Sequence, residues 1–308
     1  MRICAFVLAC VLLLLVSGKK VGSLEGRRLD SDRSSASLYN SHEAINNHPA
    51  QPIVKVASVD SDRRMTEEAY AKANGLSLDE VGSRFAASGI LRCPGGASSA
   101  QVTGARDVIT TVAHAFRPDC KSRTPPDKCT FEYYRGAEMR TVPLSATLWM
   151  GTCIDNMPRQ ASGDWAVAKL DFPAEVTPYE IYERSEILVE LERVLAVVGY
   201  DIEATGKRDK DGPFNKTMQE CQIRDVRDWS IFETNCEFTV GASGSALFRL
   251  WGGRMTLLGV VSGDYRDKEY CPQGGCEFKS RKWSSLHVTM RGDFKDRLLA
   301  AVRLSAAK

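Results

Sequence analysis

The sequence predicts an all-β fold, a barrel or sandwich of many short strands followed by one late helix. From Ile90 onward, strand-sized runs rich in β-branched residues recur between Gly, Pro, Asn and Asp: 108–112 (VITTV), 146–150 (ATLWM), 165–170, 195–200 and 257–261. Helical periodicity is absent until 293–302 (DFKDRLLAAV), where Phe294, Leu298, Ala301 and Val302 fall on one face. No internal repeat accompanies these runs, so they describe one β architecture rather than an array.

Composition sets the frame for these elements. The 308 residues suffice for one large domain or two halves sharing an interface. Hydrophobic residues are 43% and charged residues 26%, ordinary globular usage that supports a buried core. Lys and Arg number 41 against 39 Asp and Glu, a net charge of +2, which excludes a nucleic-acid protein held by bulk basic charge. Ten cysteines are many for a cytosolic chain and point to an oxidising compartment.

The N-terminus agrees. Arg2 precedes a 14-residue apolar run, 3–16, shorter than the roughly 20 residues a transmembrane helix needs. It has the form of a secretory signal peptide over 1–18, with Ser17-Gly18 at the cleavage point. An uncleaved anchor is the alternative, kept open by Lys19, Lys20, Arg27 and Arg28. The expected location is therefore secreted or periplasmic, with no stable membrane insertion once the signal is gone. Cys4 and Cys10 leave with the signal. The other eight cysteines allow up to four disulfides.

Residues 19–87 are polar and irregular and read as a linker or pro-region. Short helices are expected within it near 66–72 and 77–87. Ser77 with Glu80 three residues later forms a capping-box pattern.

Three short motifs carry the chemistry. In 109–116 (ITTVAHAF) a strand leads into a small-residue turn that presents His114. In 163–170 (GDWAVAKL) Asp164 opens an apolar strand. In 241–248 (GASGSALF) glycines flank Ser243, which lets the chain turn tightly and a substrate approach closely. Each motif alone is weak. Together they supply a nucleophile, a base and a carboxylate to orient it, the groups nucleophilic serine hydrolysis requires.

In that order and company, these residues resemble the trypsin-like (chymotrypsin-fold, S1-type) serine proteases. Residues 111–114 (TVAH) resemble the family's T-A-A-H, 164–167 (DWAV) its D-I-A-L, and 259–263 (GVVSG) its G-I-V-S-W strand. Residues 241–245 (GASGS) are similar to the G-x-S-G-S of the bacterial, glutamyl-endopeptidase-like branch. The resemblance covers 88–305. It implies two packed six-stranded antiparallel β-barrels, at about 88–175 and 185–290, and a terminal helix at 293–303.

By the same resemblance Ser243 is the nucleophile, His114 the general base and then acid, and Asp164 the group that orients the imidazole. The N–H groups of Gly241 and Ser243 would form the oxyanion hole. Ser262 would lie beside Asp164 and offer backbone contacts to an extended polypeptide substrate. Glu237, six residues before Ser243, falls at the base of the substrate pocket, where a carboxylate would favour Arg or Lys; a solvated Glu237 beside Cys236 is the equal alternative. Ala242 replaces the aspartate that pairs with a new N-terminus in trypsin-like zymogens, so that activation switch is absent.

Within this fold the cysteines read as Cys120–Cys129, Cys221–Cys236, Cys271–Cys276 and Cys93–Cys153. Zinc is disfavoured because paired C-x2-C units are lacking, and neither a metal nor a cofactor is expected. The expected function is an exported, monomeric serine endopeptidase. The rivals are a catalytically silent homologue used as an extracellular binding module, and an α/β-hydrolase esterase. The esterase is opposed by Ser245 where that fold wants Gly and by the absence of βαβ alternation.

Overall fold

Apolar side chains that alternate along short strands cannot be buried by any one hairpin. Here they are buried by closing the strands on themselves. The structure, a computed structural model, describes residues 63–117, 122–152, 161–182, 192–201, 216–227, 229–251, 254–266 and 283–307. The described part opens with β1 (Met65–Thr66), α1 (Glu67–Asn74) and α2 (Leu78–Arg84). A first barrel follows from β2 (Ser88–Cys93), β3 (Gly96–Val102), β4 (Val108–Thr111), β5 (Thr130–Arg135), β6 (Glu138–Met150) and β7 (Ala166–Leu170), closed in the order β2-β3-β4-β7-β6-β5.

The short β8 (Glu180–Ile181) leads to the second barrel. Its strands are β9 (Arg193–Val198), β10 (Thr217–Arg227), β11 (Ile231–Thr234), β12 (Ala246–Trp251), β13 (Arg254–Arg266) and β14 (Trp283–Thr289). They pair antiparallel as β9-β10-β11-β14-β13-β12 and return to β9. The chain ends in α3 (Gly292–Ala306). Two six-stranded antiparallel barrels and a terminal helix are therefore the observed architecture, as the sequence predicts.

Helix α3 buries Phe294, Leu298 and Ala301, a spacing of four and three that makes one face. Phe294 stacks on Trp165 beside β7, with ring centroids 5.3 Å apart. Lys169 of β7 reaches Asp107 at 2.5 Å and the hydroxyl of Ser305 on α3. The helix is thus fixed to the first barrel by an apolar face and a buried ammonium.

Two disulfides join described residues. Cys221–Cys236 ties β10 to the segment after β11, as expected. Cys93 bonds to Cys129, not to Cys153, and Cys129 correspondingly does not bond to Cys120. Register explains the correction. Strand β2 pairs antiparallel with β5, with Arg92 opposite Thr130, so the next pair outward is Cys93 opposite Cys129, with Cα atoms 4.3 Å apart. Cys120, Cys153, Cys271 and Cys276 lie outside the described residues, as do the signal-like run and the linker up to residue 62.

Residues 63–87 are part of the folded body, although their polar composition reads as linker. The predicted capping box is formed: Glu80 N–H donates to Ser77 Oγ, and the Ser77 amide donates to the Glu80 carboxylate at 2.7 Å. Tyr70, Ala71, Val81 and Phe85 are buried in the main core, and Tyr70 meets Phe85 edge-on at 5.5 Å. Lys216, at the start of β10, is fully buried and donates to the Phe85 carbonyl at 2.9 Å. Burial pushes its ammonium pKa down to about 8, against the opposing pull of Glu67.

Phe85→Ala should therefore destabilise the whole protein by about 3–5 kcal/mol, the cost of deleting a fully buried phenyl ring. Denaturant unfolding that follows barrel tryptophan fluorescence would measure it. A loss below about 1 kcal/mol would place 63–87 outside the cooperative unit.

Candidate active site

All four residues of β4 are buried, between β3 on one side and β7 on the other. The strand ends at Thr111, and after Val112 a single 3-10 turn, Ala113–Ala115, places His114 at the barrel rim. Asp164 sits at the mouth of β7, which pairs with β4, and its side chain is fully buried. Pairing of the two strands brings together residues 50 positions apart. His114 Nδ1 lies 2.8 Å from Asp164 Oδ2, and the His114 amide donates to Asp164 Oδ1 at 3.0 Å. Ser262 of β13 donates its hydroxyl to the same Oδ2 at 2.8 Å. Three donors satisfy a carboxylate that burial would otherwise penalise heavily. An ionised carboxylate only accepts, so Nδ1 is the ring nitrogen that donates to it; in a neutral imidazole of this tautomer Nε2 is the nitrogen with the lone pair.

Ser243 lies on the turn before β12. Ala242 N–H donates to Thr239 O at 3.1 Å, Ser245 N–H to Ala242 O at 2.9 Å, and Gly244 N–H to Val261 O at 2.7 Å. Among the described residues, the N–H groups of Gly241 and Ser243 donate to no acceptor. The turn thus leaves the two amides of the expected oxyanion hole available. Both glycines are required by conformation and space. Gly244 has φ +84°, and a Cβ there would stand 2.1 Å from Ser99 O and 2.3 Å from Thr111 Oγ1. Gly241 has φ +98°, and its Cβ would meet Tyr200 at 2.7 Å.

The contact at Gly244 draws the serine turn against Thr111, three residues before His114. Ser99 of β3 locks it there. Its amide is shared between Ser243 O at 2.8 Å and Gly241 O at 3.1 Å, its hydroxyl donates to Gly241 O, and Tyr200 N–H donates to that hydroxyl. The structure thereby gathers His114, Asp164, Ser262, Gly241 and Ser243 at one seam between the barrels. Ser99 and Tyr200 have no sequence signature. A serine in a buried strand and a tyrosine before a loop are ordinary, and only the closure of both barrels gives them a shared target.

Glu237 is engaged by two neighbouring side chains. Its amide donates to Gln219 Oε1 at 2.8 Å, and its carboxylate stands 3.7 Å from the guanidinium of Arg64. The carboxylate is thus neither simply solvated nor an uncompensated negative charge. His287 of β14 is fully buried nearby, edge-on to Phe238 at 5.5 Å, with Nε2 2.8 Å from Thr234 Oγ1. Its Nδ1 is buried without a hydrogen-bond partner. Burial pushes its pKa down to about 3, so His287 is neutral. Among the described residues no group of three or more His, Cys, Asp or Glu is placed to hold a metal.

No protein-family model and no curated protein sequence matches the chain. A solved structure described as a Glu endopeptidase in complex with MPD does match in fold, with a TM-score of 0.56. It covers 80% of this chain and all of its own, at 13% sequence identity. At that identity the likeness shows the fold alone, and the fold of this chain is the chymotrypsin-like, serine protease-like double barrel.

The neutral His287 makes a definite prediction. In the unfolded chain its pKa returns to near 6.5, so between pH 6.5 and 3 the unfolded state binds a proton that the folded state refuses. Stability is complete above that window and falls as pH drops, by up to about 1.4 kcal/mol per pH unit. Unfolding free energies of wild type and His287→Gln, compared between about pH 6 and pH 4, should differ in slope by roughly that amount. Equal slopes would show that His287 is protonated in the fold.

Proposed function

We propose that the chain is an exported serine endopeptidase that hydrolyses peptide bonds through an acyl-enzyme. The reading rests on one observation above all: a fully buried carboxylate that holds His114 by both its ring and its amide, and is itself held by Ser262. Such an arrangement commits Nδ1 to the carboxylate and leaves Nε2 as the nitrogen that would serve Ser243, which lies on a glycine-flanked turn with two available amides. A histidine held this way can take a proton from a neighbouring hydroxyl.

In the proposed cycle Ser243 Oγ attacks the scissile carbonyl while His114 Nε2 takes its proton. The C–N bond breaks as His114 returns that proton to the leaving amine. Water, activated by the same nitrogen, then cleaves the ester and frees Ser243. Negative charge on the tetrahedral oxygen would be met by the amides of Gly241 and Ser243, a contribution of about 3 kcal/mol per donor. Asp164 stays ionised and stabilises the imidazolium. The backbone of β13 beyond Ser262 would align an extended polypeptide. The proposal includes no cofactor, no nucleic acid and a monomeric enzyme. Glu237 is retained as a pocket residue, with its pull on a basic side chain weakened by Arg64. The two disulfides and the signal-like run support export.

A fluorophosphonate probe tests the reading. Wild type should be labelled, and Ser243→Ala and His114→Ala should not. Both variants should lose about 10⁶-fold in kcat, since nucleophile and base act as a unit. Asp164→Asn should lose about 10⁴-fold by releasing the imidazole tautomer. Casein or peptide-library cleavage separates a protease from an esterase. A folded wild type that takes no probe would overturn the proposal and favour a binding module.

A further inference from the structure

The serine turn is held from one side by Ser99 and from the other by a second buried carboxylate, Asp201. The side chain of Asp201 is fully buried, and it closes the segment after β9 that also carries Tyr200. Its oxygens accept from the hydroxyls of Thr239 and Thr217, the latter at 3.3 Å. Its charge is met by Arg64, whose Nη1 lies 3.4 and 3.3 Å from the two oxygens and 3.4 Å from Thr239 Oγ1. The other amino group of Arg64 faces Glu237 at 3.7 Å. Arg64 is itself only 10% exposed.

Arg64 is positioned by its neighbours in the leading segment. Arg63 donates to Asn235 O at 2.7 Å, and Met65 and Thr66 pair with Met218 and Thr217 of β10. Thr239 is the first residue of the serine turn, and its carbonyl accepts the Ala242 amide. The path is therefore continuous: leading segment, Arg64, Asp201, Thr239, then the turn that presents Gly241 and Ser243. Ala242 is uncharged, so the turn carries no ionic anchor of its own.

We propose that Arg64 is a positioning residue: a cation supplied from ahead of the first barrel, which clamps the serine turn through Asp201 and Thr239 and holds the oxyanion amides in line. On this view residues 63–66 are a retained working part of the enzyme, and any removal of the N-terminal region stops before Arg63. The inference rests on the protease reading for its meaning in catalysis, but the clamp itself has a readout that needs no activity.

That readout is amide hydrogen exchange in the full chain, measured on wild type, Arg64→Gln and Thr239→Val. Thr239→Val removes only the hydroxyl link and leaves the Arg64–Asp201 pair in place, so it tests the path even if Arg64→Gln unfolds. Faster exchange is expected at Ala242 and Ser245 in both variants, with Leu91 and Phe131 of the first barrel unchanged. In turnover, kcat should fall by about 10²-fold, the scale of a misplaced reacting group, with little change in KM. Wild-type exchange at Ala242 and Ser245 in Thr239→Val, or wild-type kcat in either folded variant, would overturn the clamp. If wild type takes no probe yet the variants loosen Ala242 and Ser245, the protease reading fails and the clamp stands.

Discussion

The carboxylate of Asp164 is the interaction on which the rest of the site depends. It is buried where a charge has no water, so it must be surrounded by donors or be protonated. The donors come from three places: a ring and an amide at the end of β4, and a hydroxyl on β13 of the other barrel. One oxygen pair therefore fixes a histidine and joins two barrels. Neither barrel could present this arrangement alone, because His114 and Ser262 belong to different closed sheets.

On the side of the first barrel, the serine turn follows the same logic with neutral groups. Ser99 sends one amide and one hydroxyl across the seam, and Gly244 allows the turn to approach the first barrel to within contact of Thr111. Catalysis by electrostatic preorganisation needs donors that do not move as charge develops. Here closed strands and buried hydrogen bonds hold the turn. The helix α3 adds to it at a distance by packing Phe294 on Trp165, the residue next to Asp164.

Much of this was legible in the sequence. The strand-sized runs, the late amphipathic helix and the order His114, Asp164, Ser243 all depend on local pattern, and local pattern survives in a string of letters. Cys93 opposite Cys129 was not legible, because it depends on the register between β2 and β5, two strands with β3 and β4 between them in the chain. Residues 63–87 were misjudged for a related reason. Five buried side chains among many polar ones leave no apolar run, and only the barrel surface that receives Tyr70 and Phe85 explains their burial. Arg64 is the extreme case. Its partner is 137 residues away, and both are common surface types.

The short pairing of Met65 and Thr66 has a consequence of another kind. Strand β10 is 11 residues long, but β11 covers only its second half, from Ile223 to Arg227. On that same edge the first half would end in bare backbone if β1 did not pair with Thr217 and Met218. An uncovered edge is a template on which a second chain can add a strand. The leading segment thus acts as an edge guard. A chain that lost it would keep most of its barrel hydrogen bonds and yet gain a place to stick, so self-association would be an early sign of trimming that went too far.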